Sequence, residues 1–151
     1  MKTKPFLFSL LALGSLAAAQ GSDGAKLYSA SCSSCHQASG AGLPGVFPPL
    51  AGHVPQILEA KGGREYLINT LLYGLQGQIE VKGAKYSGAM PAWAQLKDGE
   101  IAAILNHIST SWGNKFPEGQ KPFTPEEVAA RRAQKLTAAQ VLEARKALGL
   151  K

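Results

Sequence analysis

Three things are scarce in this chain, and each scarcity excludes something. There are two cysteines in 151 residues. One disulfide is therefore the most it could form, and a disulfide-stapled scaffold is excluded. Charged residues make up 17%, below the roughly one quarter of ordinary soluble domains. Aromatics make up 7%, which leaves a core short of large fillers. Beyond residue 19 no apolar run approaches the ~20 residues of a spanning helix. What the chain has is 45% apolar residues and a net charge of +6. That balance excludes global disorder, and the length suits one small domain rather than two. Its 17 glycines and 9 prolines predict long loops. There is no internal repeat and no low-complexity tract.

Residues 1–19, MKTKPFLFSLLALGSLAAA, read as a leader. Lys2 and Lys4 give a basic start, Phe6 to Ala18 an apolar stretch, and Ala17 and Ala19 a small-x-small cleavage site. This is the pattern of a secretory signal peptide, cleaved after Ala19. It predicts a periplasmic protein with no membrane-spanning segment. An uncleaved anchor is the competing reading, and the short apolar stretch speaks against it.

The remaining chain reads as helical. Asp23 is a good N-cap for a first helix running to about His36. Pro55 suits the first turn of a second, which stops at Gly62-Gly63. A third runs from Arg64 to Tyr73, with Tyr66, Leu67, Thr70 and Leu71 on one face. A fourth starts near Asp98, where Ile101, Ile104, Leu105, Ile108 and Trp112 recur at helical spacing. Thr124 with Glu127, and Thr137 with Gln140, are capping boxes that open a fifth and a sixth. Between the third and fourth helices, Gln78 to Tyr86 alternates and turns near Lys82-Gly83, which predicts one short β-hairpin. The fold class is all-α, with a leader at 1–19, a main domain at 20–113 and a C-terminal helical extension at 114–151 packed on it.

Cys32-Ser-Ser-Cys35-His36 is the decisive motif. C-x-x-C-H is the attachment signature of haem c. Two thiols three residues apart at a helix end can reach both vinyl groups and form thioethers. The adjacent imidazole then lies under the iron. Other readings explain less. A thioredoxin-like C-x-x-C needs a βαβ context. A zinc site needs four ligands, for which His53 or His107 would have to join. A plain disulfide leaves His36 without a role. Export agrees with haem attachment, and the haem would fill a core that is poor in aromatics.

Iron bound by His36 needs a second axial group or an open position. After the leader the chain has one methionine, Met90, in the loop Gly88-Ala-Met-Pro-Ala-Trp93, which Pro91 stiffens. His53, His107 and an open site are the alternatives. His/Met ligation fills both positions, stabilises Fe(II) through the soft sulfur and raises the potential. It suits a one-electron carrier with no substrate chemistry of its own. The rival class is a haem c enzyme subunit, sulfur-oxidising or peroxidase-like, with an open or switchable sixth site.

These residues resemble the class I monohaem cytochromes c. Gly24-x-x-Leu27-Tyr28 precedes the C-x-x-C-H motif, Pro48-Pro-Leu-Ala-Gly52 is similar to the family's P-x-L-x-G loop, and Met90-Pro91 precedes a last core helix bearing Leu105 and Trp112. Within that family, Tyr73-Gly-Leu-Gln-Gly-Gln-Ile-Glu-Val-Lys-Gly83 and the Lys/Ala-rich C-terminal helices resemble the soluble Thermus-type cytochromes that serve a ba3-type oxidase. The resemblance covers essentially the whole chain after the leader. It implies a monomeric respiratory-chain carrier. Its acceptor would be the copper domain of a haem–copper terminal oxidase. Its donor would be a cytochrome bc-type complex or another quinol-side enzyme. It also implies that the carbonyl of Pro48, or of its neighbour Pro49, accepts a hydrogen bond from the axial imidazole and tunes it.

The charge distribution refines the partner question. The leader holds +2, residues 20–113 are neutral and residues 114–151 hold +4. No Asp, Glu, Lys or Arg occurs from Leu27 to Leu58 or from Tyr86 to Leu96. These stretches flank the C-x-x-C-H motif and Met90, and in the family the haem edge emerges between such loops. The expectation is an uncharged docking patch built from Ala41, Leu43, Val46, Ala89 and Ala92. Export and the absence of aromatics among the basic residues speak against nucleic acid.

Overall fold

A computed structural model describes residues 22–151; the expected leader lies outside them. Seven helices and one hairpin follow in the order α1 (Gly24–Ser31), α2 (Ser33–His36), α3 (Val54–Glu59), α4 (Gly63–Tyr73), β1 (Leu75–Val81), β2 (Ala84–Met90), α5 (Asp98–Thr110), α6 (Pro125–Arg132) and α7 (Ala138–Ala147). This is a cytochrome c-like helical fold with one two-stranded antiparallel sheet.

Local chemistry sets most of these boundaries. The Asp23 carboxylate accepts from the Lys26 N–H and caps α1. The capping boxes at Thr124 and Thr137 both form, each satisfying two otherwise unpaired N–H groups. Lys82 and Gly83 both have positive φ, 51° and 78°. That geometry matches the right-handed twist of the strands and makes a tight two-residue turn.

Three differences from the sequence reading bear on the site. The first helix is not continuous to His36. Cys32 leaves helical geometry (φ −120°, ψ −33°) and divides it into α1 and α2. The fourth helix stops at Thr110, two residues before Trp112. Ser111 is extended and Trp112 adopts φ 55°. This turns the indole back so that its N–H donates to the Ala38 carbonyl at 2.9 Å. Met90 is the last residue of β2, paired with Leu75, and not part of a loop.

The core lies around α4. Its residues from Tyr66 to Leu72 are buried on every side, because α3, α5, α6 and α7 all pack against it. Val128 of α6, Val141 of α7 and Phe123 before α6 belong to the same apolar cluster as Ile101, Ile104 and Leu105 of α5. Helix α1 crosses α5 where Gly24 lies against the Ala103 carbonyl, so closely that a Cβ at residue 24 would clash.

Candidate functional site

The Cys32–His36 segment sits where α1 gives way to α2. Both thiols are free and partly buried. Burial pushes the Cys32 thiol up to about 11, with Cys35 beside it adding to the effect. A thiol so held is neutral at ordinary pH, unlike the lowered thiolates of redox C-x-x-C sites.

His36 is 8% exposed. Its Nδ1 lies 2.9 Å from the Pro48 carbonyl oxygen. A carbonyl can only accept, so Nδ1 carries the proton and the lone pair is at Nε2. Burial holds the ring below the usual histidine range, against the opposing pull of the Pro48 bond. The imidazole is thus oriented through Nδ1, and burial favours its uncharged form, with Nε2 as the basic nitrogen.

Pro48 belongs to a loop, residues 37–53, that leaves His36 and returns to α3. Gly42 N–H donates to the His36 carbonyl, Leu43 and Phe47 pair, and the Gly40 carbonyl accepts from both Leu50 and Ala51. Trp112 closes over Gly40, where any side chain would meet the indole. Leu43 and Val46, 47% and 49% exposed, are the large exposed hydrophobics among the described residues. Ala41, Ala89 and Ala92 are exposed as well.

Met90 is half-buried against the main core cluster. Gly74 admits its backbone, since a Cβ there would meet the Met90 carbonyl. Beyond Pro91, the Trp93 N–H donates to the Leu71 carbonyl at 2.7 Å. Hairpin pairing on one side and α4 on the other therefore fix the methionine.

The two other histidines are engaged elsewhere. His53 donates through Nδ1 to Gln56 at 2.9 Å, and its Nε2 faces the Arg145 guanidinium at 3.5 Å. His107 packs against the rings of Tyr28 and Trp112, with Nδ1 3.2 Å from the Ser111 hydroxyl.

Comparison with known proteins agrees with this geometry. Residues 19–108 match the family described as cytochrome C oxidase, cbb3-type, subunit III. A cytochrome c-552 of Thermus thermophilus is 64% identical over 98% of this chain and 99% of its own. A second Thermus thermophilus cytochrome c-552 is 67% identical over 85% of this chain and 98% of its own. The chain belongs to the class I monohaem cytochromes c. More distantly, the cytochrome c subunit of a quinone alcohol dehydrogenase from Gluconacetobacter polyoxogenes is 35% identical over 75% of this chain, which spans 23% of that relative.

As a member, the cytochrome is a haem c electron-transfer protein, with the haem bound covalently and a redox protein for partner. Its own side chains fit that group. Two thiols, three residues apart, stand beside an imidazole with a free nitrogen. A buried cation, Arg145, is 3% exposed. Its hydrogen-bond partners among the described residues are the Glu80 and Leu150 carbonyls and the neutral His53. A buried guanidinium without a carboxylate is costly, and haem brings two carboxylates.

Two contributors escape a reading of the sequence. Asn114 and Arg145 act on segments more than 60 residues away, and neither lies in a motif. Asn114 follows a glycine at a helix end, which marks a turn but not a buried amide.

Proposed function

We propose that this cytochrome is a His/Met-ligated one-electron carrier. In this reading it works in the periplasm and delivers electrons from a quinol-side enzyme such as a cytochrome bc-type complex to a membrane terminal oxidase. The haem iron supplies the one-electron couple. The observation that carries the reading is the His36 ring, buried beside two free thiols with Nδ1 committed to Pro48.

Cys32 and Cys35 would anchor the haem by thioethers, and His36 would hold its iron through Nε2. Pro48, through its carbonyl, holds the ring and raises its basicity. Met90 would supply the second iron ligand, a reading supported by its fixed place at the end of β2 and by the engagement of His53 and His107 with other partners. Arg145 offers charge compensation to a haem carboxylate. Residues 20–113 form the haem domain, and residues 114–151 an extension that covers α4 and supplies Arg145. The docking surface is the uncharged ground of Ala41, Leu43, Val46, Ala89 and Ala92.

The test is single-turnover electron transfer. The reduced holoprotein is mixed in a stopped-flow cell with the isolated dinuclear-copper domain of a haem–copper oxidase. Reduction of the copper within the mixing experiment, slowed by Leu43→Asp or Val46→Asp, is expected. No reduction, or rates untouched by both substitutions, overturns the oxidase and docking assignment.

A further inference from the structure

The carbonyl that orients His36 sits on a loop, so something must hold that loop still. Bonds inside residues 37–53 shape it without tying it to the core. Most of the ties run to the segment just after α5, with Tyr28 of α1 and Lys82 of the hairpin turn, which donates to the Ala51 carbonyl at 3.2 Å, adding one each. Asn114 is 3% exposed. Its side-chain oxygen accepts from the Gly52 N–H at 2.7 Å, and its amide nitrogen donates to the Leu50 carbonyl at 3.1 Å and the Ile108 carbonyl at 2.8 Å. Every strong hydrogen-bonding role of the amide except surplus lone pairs is used. Two partners lie within four residues of Pro48, and the third anchors the set to α5. At the other end of the loop, Trp112 donates to the Ala38 carbonyl and Tyr28 to the Gln37 carbonyl.

We propose that Asn114 is a positioning residue for the axial imidazole: it clamps Leu50–Gly52 to the end of α5 and so fixes the Pro48 carbonyl against His36 Nδ1. This rests on the reading that His36 ligates the iron. Asparagine is the chemistry the clamp requires, because it must present one acceptor and two donors to three backbone groups. Aspartate keeps the acceptor and loses both donors. Leucine keeps the volume and loses all three. A looser loop weakens the bond to Nδ1, makes the ring a poorer electron donor and favours Fe(II), so the reduction potential rises.

The test uses the full-chain holoprotein in its reduced, diamagnetic state. Solvent exchange of the His36 Nδ1 proton is followed by NMR and the potential by titration, in wild type, Asn114→Leu, Asn114→Asp and Gln120→Ala. Gln120 comes from the same segment and donates to the Leu58 carbonyl at 2.6 Å without touching the loop. Both Asn114 variants are expected to exchange the ring proton about tenfold faster or more and to raise the potential. Gln120→Ala should lower the unfolding midpoint and change neither. If Asn114→Leu does not fold, Asn114→Asp decides alone. A lowered midpoint with wild-type exchange and potential overturns the clamp and makes Asn114 merely structural. A wild type with no haem-shifted His36 ring proton removes the ligand reading itself, and the clamp with it.

Discussion

His53 shows how much a single environment decides. Burial is the main force holding it below the ordinary histidine range; Arg145 and Lys82 add to that, while Gln56 opposes it. The unfolded chain therefore binds a proton near pH 6.5 that the folded chain resists, and stability falls as pH drops through that region. Urea midpoints measured from about pH 8 to about pH 5 should decline, and His53→Gln should flatten the decline. An unchanged slope would mean that His53 is not held neutral. At this scale, legibility followed distance along the chain. Cys32, Cys35 and His36 announce themselves because their chemistry is packed into five residues. The break at Cys32 did not, since Ser31 and Ser33 give no sign of a helix changing direction. Asn114 and Arg145 were silent because their partners, at Leu50, Gly52 and Glu80, are distant in sequence.

Among the elements, α6 and α7 were legible from their caps and α4 was not fully so. The Thr124 hydroxyl accepts from the Glu127 N–H, and the Glu127 carboxylate accepts from the Thr124 N–H. Thr124→Ala should cost about 1 kcal/mol of unfolding free energy, read from urea titration. Helix α4 offered one apolar face, Tyr66, Leu67, Thr70 and Leu71. Ile68, Asn69 and Leu72 are buried too, because α6 and α7 cover the side that a shorter chain would leave wet. Phe123 seats this cover. It is 3% exposed, with the Arg64 guanidinium 4.0 Å above its ring. Arg64 in turn grips Glu127 through two nitrogens at 2.6 and 2.8 Å. Phe123→Ala should cost about 3–5 kcal/mol, measured in the same titration; a loss below about 1 kcal/mol would show that the segment before α6 is not seated by this ring. The hairpin was legible from Gln78 to Tyr86, where the alternation and the turn lie, and not beyond. Its outer residues Leu75–Gly77 and Gly88–Met90 pair under the influence of Gly74 and of α7, which packs on β1.

Taken whole, the molecule separates charge from chemistry. Beyond residue 19 the basic excess lies in residues 114–151, while the stretches beside His36 and Met90 carry no charged side chain. Association carried by apolar contact should respond weakly to salt, whereas lysine-ringed surfaces steer their partners electrostatically. The bimolecular rate should change by less than about threefold across a decade of ionic strength, and a steep fall would move the docking site to the basic helices. The claim beneath all of this is the ligand pair. It is tested most directly by the optical spectrum of the purified ferric holoprotein, wild type against Met90→Ala. The weak far-red band of a methionine–iron bond should be present in the wild type and gone in the variant, which should then bind carbon monoxide readily when reduced. A high-spin wild-type spectrum, ready carbon monoxide binding by the wild type, or a band that survives Met90→Ala would contradict it.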